Sequence, residues 1–214
     1  MSNTSASLWM LTAAQLRDQV ASIDPTPGGG SVSIVTATLG VASIQKGITV
    51  SLKKSAADFA RHHNLLDLSS RASALMISLS ELADADSLAF QRYLKACALP
   101  RSTEGERAFR RAAREDGLVQ ATQIPLEAAT EMTRGLVFAE SAARLVDAHV
   151  RSEVLAGGVL LRASIKSVLL SVDANLPGIS NAAVRDALKL QRNELERAAM
   201  LSETPVTVKV VDFG

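Results

Sequence analysis

The segment Pro25-Thr26-Pro27-Gly28-Gly29-Gly30-Ser31 has the residue types and spacing of a ligand-binding turn. Each proline fixes its own φ and biases the preceding residue toward extended geometry. Three residues without side chains then allow close approach of a backbone. The helix that follows opens with free N–H groups and a positive dipole end, a combination that receives anions. An ordinary helix-start loop has the same composition, and the segment is neither a Walker loop nor a GxGxxG. Both readings stand on spacing alone.

Titratable residues away from evident surface runs are Lys46, Lys53, Lys54, Asp86, Asp147, His149 and Glu153. Lys53 and Lys54 close an apolar helix, where cations complement the dipole. Asp86 lies near Glu81 and Asp84, a pattern that reads as a solvated face. His149 stands in polar company, with Asp147, Arg151, Ser152 and Glu153 between two apolar stretches. Imidazole titrates near neutral pH, so this knot suits acid/base chemistry. The sequence has no HExxH, paired CxxC or GxSxG pattern, so metal or nucleophile-elbow chemistry has no motif to rest on.

Helices must position these groups. Only 3% of the 214 residues are aromatic, while alanine, leucine, serine and valine abound, a composition suited to close-packed helices. Capping boxes at Thr12/Gln15 and Thr103/Glu106 predict helices to about Ile23 and Gln123. Between them the pattern predicts helices over about 31–52 and 56–98, the second ended by Leu99-Pro100. Pro125 fits the first turn of a further helix to about Val146. Two more follow near 150–172 and 181–203, and Pro205–Val211 alternates like a strand or an extended arm. The helix over 31–52 is apolar nearly all round, as in a membrane span or the centre of a bundle or oligomer. Gln45 and Lys46 interrupt it and no second strong span is evident, so a bundle is expected and a membrane is not. Formal charge is +1 with charges dispersed, so nucleic acid is not an implied partner. A single cysteine, Cys97, excludes an internal disulfide and, with no secretory leader evident, suits the cytoplasm. One domain over 1–214 is expected, with 204–214 as a tail.

The residues also resemble a known family. Pro25–Ser31, followed by a helix ending in Lys53-Lys54, is similar to the cyclodeaminase/cyclohydrolase enzymes of one-carbon folate metabolism. The resemblance continues in order through Asp86 with Ala89-Phe90, then Leu99-Pro100-Arg101-Ser102-Thr103-Glu104, then Ala121-Thr122 with Ile124-Pro125-Leu126. It implies an all-α, mostly antiparallel long-helix bundle assembling as a homodimer or larger. It implies a tetrahydrofolate derivative as substrate and no tightly bound metal or redox cofactor. Binding would fall to Pro27, Gly28, Gly29, Gly30, Lys53 and Lys54, and catalysis to His149, Glu153, Ser152 and Asp86. The activity would be formimidoyltetrahydrofolate cyclodeaminase or methenyltetrahydrofolate cyclohydrolase. Departures leave two alternatives. Where members carry an asparagine-rich stretch ending in Ser-Asp, this chain has Asp147, His149, Ser152 and Glu153, and only the serine is kept. Thr49 replaces a usual asparagine. The scaffold is therefore also compatible with altered cyclic imine or amine chemistry, or with a non-catalytic binding role.

Overall fold

A computed structural model of the chain describes residues 7–201. The helices are α1 (Ala13–Val20), α2 (Gly29–Leu52), α3 (Phe59–Cys97), α4 (Glu104–Leu145), α5 (Arg151–Asn175) and α6 (Ala182–Leu201). Short 3-10 turns at Leu8–Met10, Ala148–Val150 and Leu176–Gly178 join them, and no strand occurs among the described residues. The Pro205–Val211 segment lies outside those residues. Both expected capping boxes form: Thr12 accepts from the Gln15 N–H, Thr103 from the Glu106 N–H, and the Gln15 and Glu106 side chains reach back.

Helices α2 to α5 make an antiparallel four-helix bundle in which each packs against two neighbours. Residue pairs show the direction: Ser31 meets Asp86, Leu75 meets Gly135, Ala139 meets Gly158, and Ser167 meets Ser33. Its core is a continuous cluster including Ile34, Ile44, Leu79, Met132, Leu161 and Ile165, all fully buried. Helix α6 folds back on α4 and α5. Glu115 accepts the Ser180 and Asn181 N–H groups ahead of it, and Arg192 pairs with Asp173.

Helix α2 is apolar all round because it is packed on several sides. Where it crosses α5, both helices carry glycine: a Cβ on Gly157 would lie 2.4 Å from the Gly40 carbonyl oxygen and 2.5 Å from Ile44. A glycine inside a helix costs about 1 kcal/mol relative to alanine, and here it permits backbone contact that no side chain would. Contrary to the expectation of one apolar span, Ala148–Gly178 is also long and apolar enough to cross a membrane. About half of each stretch is buried inside the bundle.

Pro125 does not begin a helix. Helix α4 runs without interruption from Glu104 to Leu145, with Pro125 buried inside it. An internal proline removes one N–H and crowds the carbonyl four residues back, at a cost of about 3 kcal/mol. That carbonyl belongs to Ala121, and the Asn175 side-chain amide donates to it at 3.0 Å. The last residue of α5 thus replaces the bond that Pro125 deletes. We expect Asn175→Ala to destabilise the fold by about 1–3 kcal/mol, the cost of a buried acceptor left without a partner. In a Pro125→Ala background, where a backbone N–H can reach Ala121, the same change should cost less. Chemical denaturation of the four proteins measures this coupling; strictly additive losses would contradict it.

Candidate active site

The Pro25–Ser31 segment leads into α2 across a cis Thr26–Pro27 peptide bond. Gly28 is the N-cap and offers no side chain to the N–H groups of the first turn. Asp86 of α3 fills that place. Ser31, fully buried, donates its hydroxyl to Asp86 Oδ2 at 2.6 Å. A Cβ on Gly30 would lie 2.7 and 2.9 Å from the two carboxylate oxygens, so the close approach requires glycine there. Gln91, one turn further along α3, donates to the Thr26 hydroxyl at 3.0 Å and ties the turn to the same helix.

A cleft of about 240 Å3 opens beside this carboxylate. Pro25, Thr26 and Gly28–Ser31 form one wall, Asp86, Ser87 and Phe90 a second, and Ala121 with Ser171, Ala174 and Asn175 the rest. It is smaller than typical sites for drug-sized ligands. Burial pushes the Asp86 carboxyl above the ordinary range, against the lowering effect of the Ser31 hydroxyl and N–H. The adjacent helix dipole also favours the anion, yet burial prevails. No lysine or arginine adds to the charge balance of Asp86 among the described residues. The site thus presents a half-buried carboxylate without a counter-cation, donors at a helix start, free hydroxyls and the Phe90 ring.

The structure divides the residues proposed from sequence. Asp86, Gly28, Gly29 and Gly30 meet at the cleft, and Pro27 lies buried behind it. The solvated face expected for Asp86 is not found, because Gly30 lets that face of α3 press on the start of α2. His149, Ser152, Glu153, Lys53 and Lys54 lie at the opposite end of α2. Gly47, beside Val154, is 17 residues from Gly30, about 25 Å along the axis. There Glu153 accepts from Lys46 at 2.7 Å and from Ser43 at 3.2 Å, and Lys46 draws its carboxyl below the usual range. Asp147 pairs with Arg61 at 2.6 Å, while His149, Ser152, Lys53 and Lys54 are exposed. That knot therefore balances its own charges within one chain.

Ser87, Ser171, Ala174 and Asn175 were not singled out from sequence. Phe90 and Ala121, which carry the family resemblance, do line the cleft. Leu99–Thr103 carries it too, but lies at the far tip of the α3–α4 hairpin. The signal for Phe90 was its i+4 spacing from Asp86, whereas Ser171 and Asn175 join only through the antiparallel return of α5.

An up-and-down bundle with a carboxylate at a glycine-rich helix start is the class of protein these observations define. The chain belongs to the formiminotransferase-cyclodeaminase family, whose model matches residues 12–194. It is 28% identical to a methenyltetrahydrofolate cyclohydrolase of Methylorubrum extorquens, over 87% of this chain and 89% of that protein. It is also 28% identical to the formimidoyltransferase-cyclodeaminase of Sus scrofa, over 85% of this chain but only 33% of that longer protein. The fold is similar to the crystal structure of a formiminotetrahydrofolate cyclodeaminase from Thermotoga maritima. The TM-score is 0.78 at 23% identity, over 90% of this chain and 91% of that one.

The raised carboxyl has a consequence for stability. The folded protein holds the Asp86 proton more tightly than the unfolded chain, so this group favours folding at acid pH. The advantage is lost as pH rises through its raised value. Asp86→Asn removes that loss. The variant should therefore gain thermal stability over the parent as pH is raised from about 4 to about 8. Thermal unfolding across that range tests the sign; an advantage that shrinks with rising pH would contradict it.

Proposed function

We propose that the protein is a one-carbon folate enzyme, a methenyltetrahydrofolate cyclohydrolase or formimidoyltetrahydrofolate cyclodeaminase, with Asp86 as its acid/base. One observation carries the proposal: the half-buried Asp86 carboxylate facing the glycine-turn cleft without a counter-cation. Both substrates bring an amidinium-type cation at the one-carbon unit, the charge that such a carboxylate complements. In ring opening, Asp86 takes a proton from water as its oxygen bonds to the methenyl carbon. Cleavage of the N5–carbon bond then gives 10-formyltetrahydrofolate, with one proton released overall. In ring closure, N10 bonds to the protonated formimidoyl carbon, its proton passes through Asp86 to the departing nitrogen, and ammonia leaves the methenyl cation behind. A positioned acid/base contributes about 10²- to 10⁴-fold to such steps. Only protons are exchanged, so the reaction is proposed to run without a tightly bound metal or redox cofactor. Relatives carrying both activities favour folate chemistry over a repurposed or non-catalytic scaffold.

A homodimer is part of the proposal. The outer face of α2 and α5 exposes Leu39, Val159 and Leu170, each about half open or more. Leu39 lies midway between Gly30 and Gly47. Isologous pairing of that face about Leu39, with the two copies of α2 antiparallel, would bring the His149–Glu153 end of one copy toward the glycine turn of the other. This supports a shared site in which both sets of sequence candidates take part.

Purified protein incubated with each folate, followed by the methenyl chromophore, should change at least one of them well above the spontaneous rate. Asp86→Asn should lose about 10²- to 10⁴-fold. Turnover of neither substrate by folded protein would reject the assignment. Light scattering should give twice the chain mass for the parent and a monomer for Leu39→Glu/Val159→Glu. Mixing Asp86→Asn with Glu153→Gln should restore part of the activity; a fully active monomeric variant would reject the shared site.

A further inference from the structure

Asp86 is flexible in principle, with two rotatable bonds and two equivalent oxygens, yet proton transfer requires one oxygen at one place. Misplacement by about 1 Å can cost 10²-fold. The surroundings leave Asp86 little choice. Its Oδ2 takes the 2.6 Å bond from Ser31, a residue with no exposed surface, on the first turn of the helix that α3 and α5 hold between them. The bare Gly30 backbone lies against both oxygens. The Ser31 N–H also bonds to this carboxyl, and Oδ1 takes no side-chain hydrogen bond among the described residues.

Resting on the proposed role of Asp86, we infer that Ser31 is a positioning residue, locking Oδ2 so that Oδ1 alone performs the proton transfer. The hydroxyl has no other hydrogen bond among the described residues, and its immediate neighbours on α2 behave differently. Ser33 donates to the Gly29 carbonyl at 2.6 Å while also meeting the Ser167 hydroxyl of α5 at 2.8 Å, and Thr36 and Thr38 donate to carbonyls one turn back. Ser31 instead donates across to α3. A serine that served only to satisfy its own helix would follow the pattern of the others. The two oxygens of Asp86 therefore differ in work: one is an anchor, the other reacts.

Ser31→Ala removes the anchor at the cost of one oxygen atom, and Ser31→Cys keeps the bulk with a much weaker donor. Both should lower kcat roughly 10- to 100-fold with KM changed less than about threefold, since the anchor does not touch substrate. The limb of the pH–rate profile governed by Asp86 should move to higher pH, further for alanine than for cysteine, because a bond that stabilises the charged form is gone. In an Asp86→Asn background Ser31→Ala should cost little more. Unchanged kcat and an unmoved limb in a folded variant would overturn the inference. Carbon-13 titration of the Asp86 carboxyl, identified by its absence in Asp86→Asn, reads the same shift without turnover. If neither folate is a substrate the proposed activity fails, while this titration still decides the role of Ser31: an unmoved midpoint in both variants overturns it. Should the alanine variant not fold, the cysteine variant carries the test.

Discussion

The structure depends on how closely α2 and α5 approach. With Gly40 and Gly157 facing each other, the helices meet backbone to backbone. Gly47 repeats the constraint one contact further on, where a Cβ would sit 2.8 Å from Val154. Polar contacts flank Gly40 on either side: Ser33 with Ser167, and Ser43 with the Glu153 carbonyl. Backbone contact at the middle fixes what stands opposite what at the ends. The final turn of α5, with Ser171 and Asn175, is thereby set against the first turn of α2, and the cleft lies between them.

The other wall follows from a second glycine contact. Gly30 admits the Asp86 carboxylate to the start of α2, where Gly28 supplies no cap of its own. A capping side chain at residue 28 would satisfy the same N–H groups from within α2 and leave Asp86 without a reason to be there. The cap is supplied by α3 instead, across 55 residues of sequence. Pro125 shows the same economy on the third side: a deleted N–H in α4 leaves Ala121 needing a donor, and Asn175 supplies it at the edge of the cleft. These two walls are each built by a local defect in one helix that a side chain from another repairs.

This explains which parts were legible in the sequence. The helices were, because hydrophobic spacing and the Thr12 and Thr103 capping boxes are local signals. The long α4 was misread because Pro125 is a breaker by local rules, and the partner that offsets it is 50 residues away at Asn175. Asp86 was misread for the same reason: its acidic neighbours describe a wet face, while Gly30, which makes room for it, lies on another helix. His149 drew attention through residue type and company. Its exposure, and the pairing of Glu153 with Lys46 and Asp147 with Arg61, appear only when the bundle closes. The family motifs located Phe90 and Ala121 beside the cleft, yet could not separate them from Leu99–Thr103 at the hairpin tip.

The two acidic clusters now differ in one physical property. At the far end each carboxylate has a cation within 2.7 Å, so its charge is already answered. At the glycine turn the carboxylate has hydroxyl and amide donors but no cation, and burial raises its proton affinity. Glu153, in the first condition, holds a proton less readily than usual because Lys46 pairs with it. A carboxylate in the second binds a proton or a cationic carbon more readily, because either relieves an unmatched buried charge. The unmatched charge lowers stability near neutral pH, and the fold retains it where four helices converge on an opening. Charge left unpaired, rather than residue type, is what sets the Asp86 carboxylate apart from Glu153 and Asp147.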